Sequence, residues 1–295
     1  MVRTIPDLTG RVAVVTGANR GIGRATAEGL ARFGARVVLV CRRKQDGEEA
    51  AHAISTATGN SALEVKAGDL GERAAVRRVA EEILSAHSQL HVLVNNAGIA
   101  SRRRAMTVDG MERTFAVNHL AYFELTLRLL PAIRAAAPAR IISISSESHQ
   151  GASIDFDDLQ NVRGYGGVKA YGRSKLMNVL FTYELARRLA GTGVTANCMH
   201  PGVIATRILT DYMPMLKPLA KVIGGKPEEG ADTILWLATA PKVEGVTGKY
   251  FIKRREARSS AASHDPAVAR RLWEESVKLT GVGAADGLLR SIDRG

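Results

Sequence analysis

The stretch Thr16-Gly17-Ala18-Asn19-Arg20-Gly21-Ile22-Gly23 decides the fold, because of what stands on either side of it. Before it lies the apolar, β-branched run Arg11-Val-Ala-Val-Val15. After it, Gly23-Arg-Ala-Thr-Ala-Glu-Gly-Leu-Ala-Arg-Phe33 has helical spacing and leads to a second apolar run, Arg36-Val-Val-Leu-Val-Cys41. Strand, glycine turn, helix and strand make a βαβ unit. In such a unit the turn amides and the helix N-terminus can cradle a pyrophosphate, while glycines let the backbone approach it closely. The spacing is G-x-x-x-G-x-G rather than the commoner G-x-G-x-x-G.

Working outward, the alternation continues with Ala62-Leu-Glu-Val-Lys66, Leu90-His-Val-Leu-Val94, Arg140-Ile-Ile-Ser-Ile144, Val194-Thr-Ala-Asn-Cys198 and Gly248-Lys-Tyr-Phe-Ile252, separated by segments that read as helices. Seven strands, apolar throughout rather than alternating, predict an α/β, doubly wound Rossmann fold with a mostly parallel sheet covered on both faces. No repeat or change of composition divides residues 1–295, so one domain is expected. Segments 99–110, 147–167 and 201–226 each follow a strand and should surround a crevice at the strand ends, with 201–226 as a lid and 253–295 as a C-terminal extension.

Composition agrees. With 45% hydrophobic and 24% charged residues in 295, the chain is too apolar for a disordered protein. Its two cysteines, Cys41 and Cys198, exclude a disulfide scaffold and a four-cysteine zinc site; both fall on apolar strand positions and read as core. The seven histidines lack ligand spacing, so no metal site is expected. No run reaches the roughly 20 apolar residues of a membrane span. Met1-Val-Arg-Thr-Ile-Pro6 lacks the apolar core of a signal peptide, so a cytoplasmic location is expected.

The 41 Lys and Arg against 29 Asp and Glu, a net charge of +12, raise the question of nucleic acid or an anionic membrane. Yet Arg102-Arg103-Arg104 and Lys253-Arg254-Arg255 are short and carry no interleaved aromatics, so no nucleic-acid partner is expected. Tyr171-Gly-Arg-Ser-Lys175 opens a helix, where an i, i+4 pair projects from one face. A lysine ammonium beside a phenol favours phenolate and should lower its pKa toward working pH, making Tyr171 a proton donor or acceptor.

From about residue 8 to its end the chain resembles the short-chain dehydrogenase/reductase family. The resemblance rests on the glycine turn, Asn95-Asn96-Ala97-Gly98 after the fourth strand, Asn118 in the next helix, Ser146 after the fifth strand, Tyr171 with Lys175, and His200-Pro201-Gly202-Val-Ile-Ala-Thr206 after the sixth. It implies an oxidoreductase in which Tyr171 exchanges the proton and Ser146, rather than its neighbour Ser145, hydrogen-bonds the substrate oxygen. Lys175 would also bind the nicotinamide ribose, and Asn118 would hold a water relaying protons to Lys175. Cofactor contacts would come from Gly17, Asn19, Arg20, Gly21, Ile22, Gly23, Arg42, Arg43, Asp69, Leu70, Asn96, Ala97, Gly98, Pro201, Gly202, Ile204 and Thr206, besides Tyr171 and Lys175.

The second strand ends Val40-Cys41-Arg42-Arg43, without the acid that binds a ribose 2′-hydroxyl, so NADP(H) is the expected cofactor, with Arg42 first and Arg20 second on its 2′-phosphate. Finer likeness in Ile154-Asp-Phe-Asp-Asp-Leu159, Gly248-Lys-Tyr-Phe251, Leu272-Trp273 and Leu279-Thr-Gly281 points to the retinol dehydrogenase-like branch, which handles apolar alcohols, aldehydes and ketones. Many of its animal members carry an N-terminal membrane anchor; none is expected here. A pocket lined by 99–108, His149 and the lid, and assembly as a homodimer or homotetramer, are implied as well. The alternative is a catalytically silent NADP(H)-binding regulator.

Overall fold

The computed structural model describes residues 6–202 and 225–282. Its centre is one sheet in the order β3-β2-β1-β4-β5-β6-β7-β8, formed by Val12–Thr16 (β1), Arg36–Cys41 (β2), Leu63–Ala67 (β3), Val92–Asn95 (β4), Ala139–Ile144 (β5), Val194–His200 (β6), Tyr250–Ile252 (β7) and Arg255–Glu256 (β8). All pairings are parallel except β7 with β8. The order reverses between β1 and β4, which opens the crevice at the carboxyl ends of the strands.

The continuous apolar runs are explained by two cores. Along β1, Val14 faces a cluster with Val79 and Ile83 of helix α3 (Arg73–Ala86), while Ala13 and Val15 face Leu30 of α1 (Gly21–Arg32), Ile54 of α2 (Lys44–Thr58) and Ile234 of α6 (Pro227–Thr239). A period-two strand buried on both sides must be apolar at every position. The first core is completed by α4, which runs through Arg113–Phe115, a π-helical stretch Ala116–Leu120 and Ala121–Ala135, by α5 (Gly167–Arg188), and by Trp273 of α7 (Pro266–Thr280).

The sheet has one strand more than the seven expected, among the described residues. The chain reverses at Lys253 and Arg254, both left-handed at φ 48° and 60°, and lays Arg255–Glu256 against β7. Those two residues are exposed and charged, so no apolar run announces them. Cys41 and Cys198 are buried and unpaired, as expected of core residues. No helix among the described residues is long and apolar enough to cross a membrane.

Candidate active site

The glycine turn shapes one end of the site. Helix α1 starts with no side-chain cap and no acid in its first turn, leaving its leading N–H groups and positive dipole end for an anion. A Cβ on Gly23 would lie 2.3 Å from the Gly17 carbonyl oxygen, so only glycine lets the helix start this close to the turn. The turn is fastened to the loop after β4 by Thr16, whose hydroxyl accepts from the N–H groups of Asn96 and Ala97, each at 2.9 Å. Asn96 returns the contact, its amide donating to the Thr16 carbonyl at 2.8 Å. The motif spacing gives Thr16 no role, because its hydroxyl meets residues 80 and 81 positions further on.

The turn and the strand ends line one cleft of about 1110 Å³. Of the expected cofactor residues, Gly17, Asn19, Arg20, Gly21, Ile22, Gly23, Arg42, Arg43, Asp69, Leu70, Asn96, Ala97, Gly98, Tyr171, Lys175, Pro201 and Gly202 all line it. Ile204 and Thr206, with most of the expected lid, lie outside the described residues. A cradle closed to any Cβ, an uncapped helix start and this lining fit a dinucleotide.

The arginines differ. Arg43 is committed to Asp46, its Nε and Nη2 donating to the two carboxylate oxygens at 2.9 and 2.8 Å. The guanidinium groups of Arg20 and Arg42 make no hydrogen bond or ion pair with described residues and remain available to an anion. Asp69 is likewise committed, accepting from the Gly71 N–H and from Arg113 at 3.0 Å.

At the other end Ser146, Tyr171 and Lys175 converge on the cleft. Ser145 and Ser146 divide as strand geometry requires: Ser145 is buried, its hydroxyl donating to the Lys175 carbonyl at 2.8 Å, and Ser146 opens to the cleft. Helix α5 approaches this turn closely because Gly172 lacks a side chain; a Cβ there would meet the Ser148 carbonyl oxygen at 2.6 Å. Lys175 is buried, its Nζ donating to the Ile144 carbonyl at 3.1 Å and lying 5.5 Å from the Tyr171 ring centroid and 5.8 Å from that of Tyr122. Asn178 donates to the same carbonyl at 3.2 Å.

The expectation that lysine lowers the tyrosine pKa is corrected. Burial pushes Tyr171 up to about 12, with the Ser146 hydroxyl working the other way, and burial pulls Lys175 down to about 7. Taking both groups out of water disfavours the charged form of each. For Lys175 the sign of the linkage follows. Between about 7 and its unfolded value of 10.5 the unfolded chain binds the proton and the folded chain does not, so stability rises with pH across that window. Lys175→Met should therefore raise the melting temperature of the cofactor-free protein at pH 7 and abolish activity, with the gain vanishing near pH 10.5; calorimetry at the two pH values checks it.

Asn118 lies in the π-helical stretch, where its Oδ1 accepts from the Ile99 N–H at 2.8 Å and its Nδ2 donates to the Ile99 carbonyl and the Ser174 hydroxyl, each at 2.9 Å. A Cβ on Gly98 would sit 3.4 Å from Asn118 Oδ1 and 3.5 Å from Lys175 Nζ, so the three are neighbours. The Asn118 side chain is thus occupied in tying α4 to the loop after β4. His149 does not line the pocket as expected. It is fully buried, because both ring nitrogens are taken up by the main chain of residues 146 and 260. In its place Glu147 and His200, 3.6 Å apart, line the cleft; His200 heads the motif after the sixth strand, though no role was read for it, and Glu147 belongs to no motif.

A pyrophosphate cradle at one end of a cleft and a tyrosine, lysine and serine at the other define the class, a dinucleotide-dependent oxidoreductase. Residues 11–217 match the family model described as short chain dehydrogenase, and the chain belongs to that family, whose members act on alcohol or carbonyl groups with a nicotinamide cofactor. Within it the chain falls in the retinol dehydrogenase-like branch, being 42% identical over 278 residues to Retinol dehydrogenase 12 of Mus musculus, covering 94% of this chain and 88% of that one. A crystal structure of an uncharacterised Mycobacterium paratuberculosis protein matches at TM-score 0.78 and 34% identity, over 94% of this chain and 96% of that one. A Pseudomonas aeruginosa RhlG/NADP active-site complex matches at TM-score 0.68 and 30% identity, over 83% and 95%.

Proposed function

We propose that the protein is an NADP(H)-dependent carbonyl reductase and alcohol dehydrogenase for apolar aldehydes, ketones and alcohols, with Tyr171 as general acid and base. The observation that carries this reading is the pairing, in one cleft, of Ser146, Tyr171 and Lys175 with the uncommitted guanidinium groups of Arg20 and Arg42. A bound nicotinamide would supply the hydride exchange with the substrate carbon. Arg42, with Arg20, holds the 2′-phosphate, and the nearby Asp46 carboxylate is already neutralised by Arg43. Ser146 donates a hydrogen bond to the substrate oxygen and fixes it beside the phenol. Tyr171 gives its proton to that oxygen in reduction and takes it back in oxidation. Lys175, when protonated, opposes the burial that holds Tyr171 in its phenol form. Ile99, Ala100 and Val168 give the cleft apolar wall, and the likeness to retinol dehydrogenases supports an apolar substrate.

Oxidation of NADPH and NADH is to be followed with retinal, steroid ketones and small aromatic ketones. Turnover with NADPH is expected on apolar members of the panel, at least about tenfold more efficiently than with NADH. Tight NADPH binding without turnover on any member would replace this reading with that of a silent regulator.

A further inference from the structure

The short turn Glu147–His149 follows the serine that opens to the cleft, and its last residue is buried out of reach of the cleft. The His149 ring lies against Tyr250, with ring centroids 4.9 Å apart. Each ring nitrogen faces a peptide group: Nδ1 is 2.6 Å from the Ser146 carbonyl oxygen and Nε2 is 3.1 Å from the Ser260 N–H nitrogen. A carbonyl can only accept and a peptide N–H can only donate. The tautomer is therefore fixed, with the proton on Nδ1 and the lone pair on Nε2. Burial, by disfavouring the cation, keeps the ring neutral.

One ring thus joins its own turn to a segment whose contact residue, Ser260, lies 111 residues beyond His149. The second segment is itself anchored. The Ser260 carbonyl accepts from the Ser263 hydroxyl at 2.6 Å, and the Ser259 hydroxyl is bonded to Ser263 at 2.7 Å and to Tyr183 at 2.8 Å. Tyr183 belongs to α5, the helix that carries Tyr171 and Lys175. Besides the bonds from Lys175 and Asn178 to the Ile144 carbonyl, the serine turn is tied to that helix directly through Ser145 and round through His149, Ser260, Ser259 and Tyr183. The direct ties hold residues 144 and 145, before Ser146, and the route through His149 holds it from the other side.

We propose that His149 is a positioning residue: as the Nδ1–H tautomer it clamps the Ser146 backbone to segment 258–264, and so holds the Ser146 hydroxyl in register with Tyr171. The proposal rests on the reading of Ser146 and Tyr171 as the pair that handles the substrate oxygen. Two near-isosteres separate its two bonds. Asparagine places its amide nitrogen near the position of Nδ1 and keeps the bond to the Ser146 carbonyl; glutamine places its amide oxygen near Nε2 and keeps the bond from the Ser260 N–H. His149→Phe removes both and keeps the ring volume.

A clamp needs both jaws, so all three variants should lose about tenfold or more in kcat for carbonyl reduction while KM for NADPH stays within about twofold. In the cofactor-free protein, slow hydrogen exchange of the Ser260 amide should survive in His149→Gln and vanish in His149→Asn and His149→Phe. Nitrogen-15 spectra of the wild type should show the Nδ1–H tautomer. Parental kcat in either single-bond variant overturns the proposal, as does a parallel fall in kcat, NADPH affinity and melting temperature. A wild type that reduces no carbonyl fails the functional reading instead. The clamp is then judged on the cofactor-free protein, where an Nε2–H tautomer or unprotected Ser260 amide overturns it.

Discussion

Replacing Tyr171 by phenylalanine is expected to lower kcat for carbonyl reduction by about 100- to 10,000-fold, with NADPH affinity within about twofold of the parent. The substitution removes one oxygen and leaves the ring in place beside Lys175, so the cofactor end of the cleft is untouched. What is lost is the group proposed to transfer its proton to the substrate oxygen. Ser146 remains and can still donate a hydrogen bond, which accounts for the activity expected to persist at the lower end of that range. Fluorescence titration with NADPH alongside steady-state kinetics separates the two quantities. Turnover at the parental rate would remove Tyr171 from the mechanism.

Arg42→Asp should have the second largest effect, on cofactor choice. A charge-assisted bond to a phosphate contributes about 1.5–3 kcal/mol, and the new carboxylate adds repulsion, so kcat/KM for NADPH should fall about 100-fold or more. The same carboxylate can accept a hydrogen bond from a ribose 2′-hydroxyl, so kcat/KM for NADH should hold or rise. Arg43→Ala serves as the comparison, because that guanidinium is already bonded to Asp46; its effect should stay below about fivefold. A parent enzyme that uses NADH as well as NADPH, or an Arg42→Asp variant with unchanged preference, would show that the arginine does not read the phosphate.

Much of the architecture is legible in the amino-acid sequence. The runs in β1, β2 and β4 are apolar at successive positions, as a strand covered on both faces requires, and the glycine turn marks where the first helix begins. The pair of exposed, charged residues in β8 could not be read, because a two-residue strand is defined by its partner β7 rather than by its own composition. The site divides in the same way. Tyr171 and Lys175 share a helix face by spacing alone, but their burial, which reverses the expected pKa direction, depends on what α4 and β5 place around them.

Ser146 is named through the family resemblance, whereas the chain read alone yields the succession of seven strands and their helices, the glycine turn, the lack of an acid at the end of the second strand and the shared helix face of Tyr171 and Lys175. These are properties of neighbours in the chain, within reach of one turn or one strand. The tertiary structure alone decided which arginines stay free, that Thr16 and Asn118 spend their side chains on fastening loops, and that His149 faces peptide groups rather than substrate. Each of those outcomes is set by hydrogen-bond partners. Arg43 finds Asp46 three residues away, but Thr16 meets residues 80 and 81 positions on and His149 one that is 111 away, distances that periodicity and motif spacing do not span.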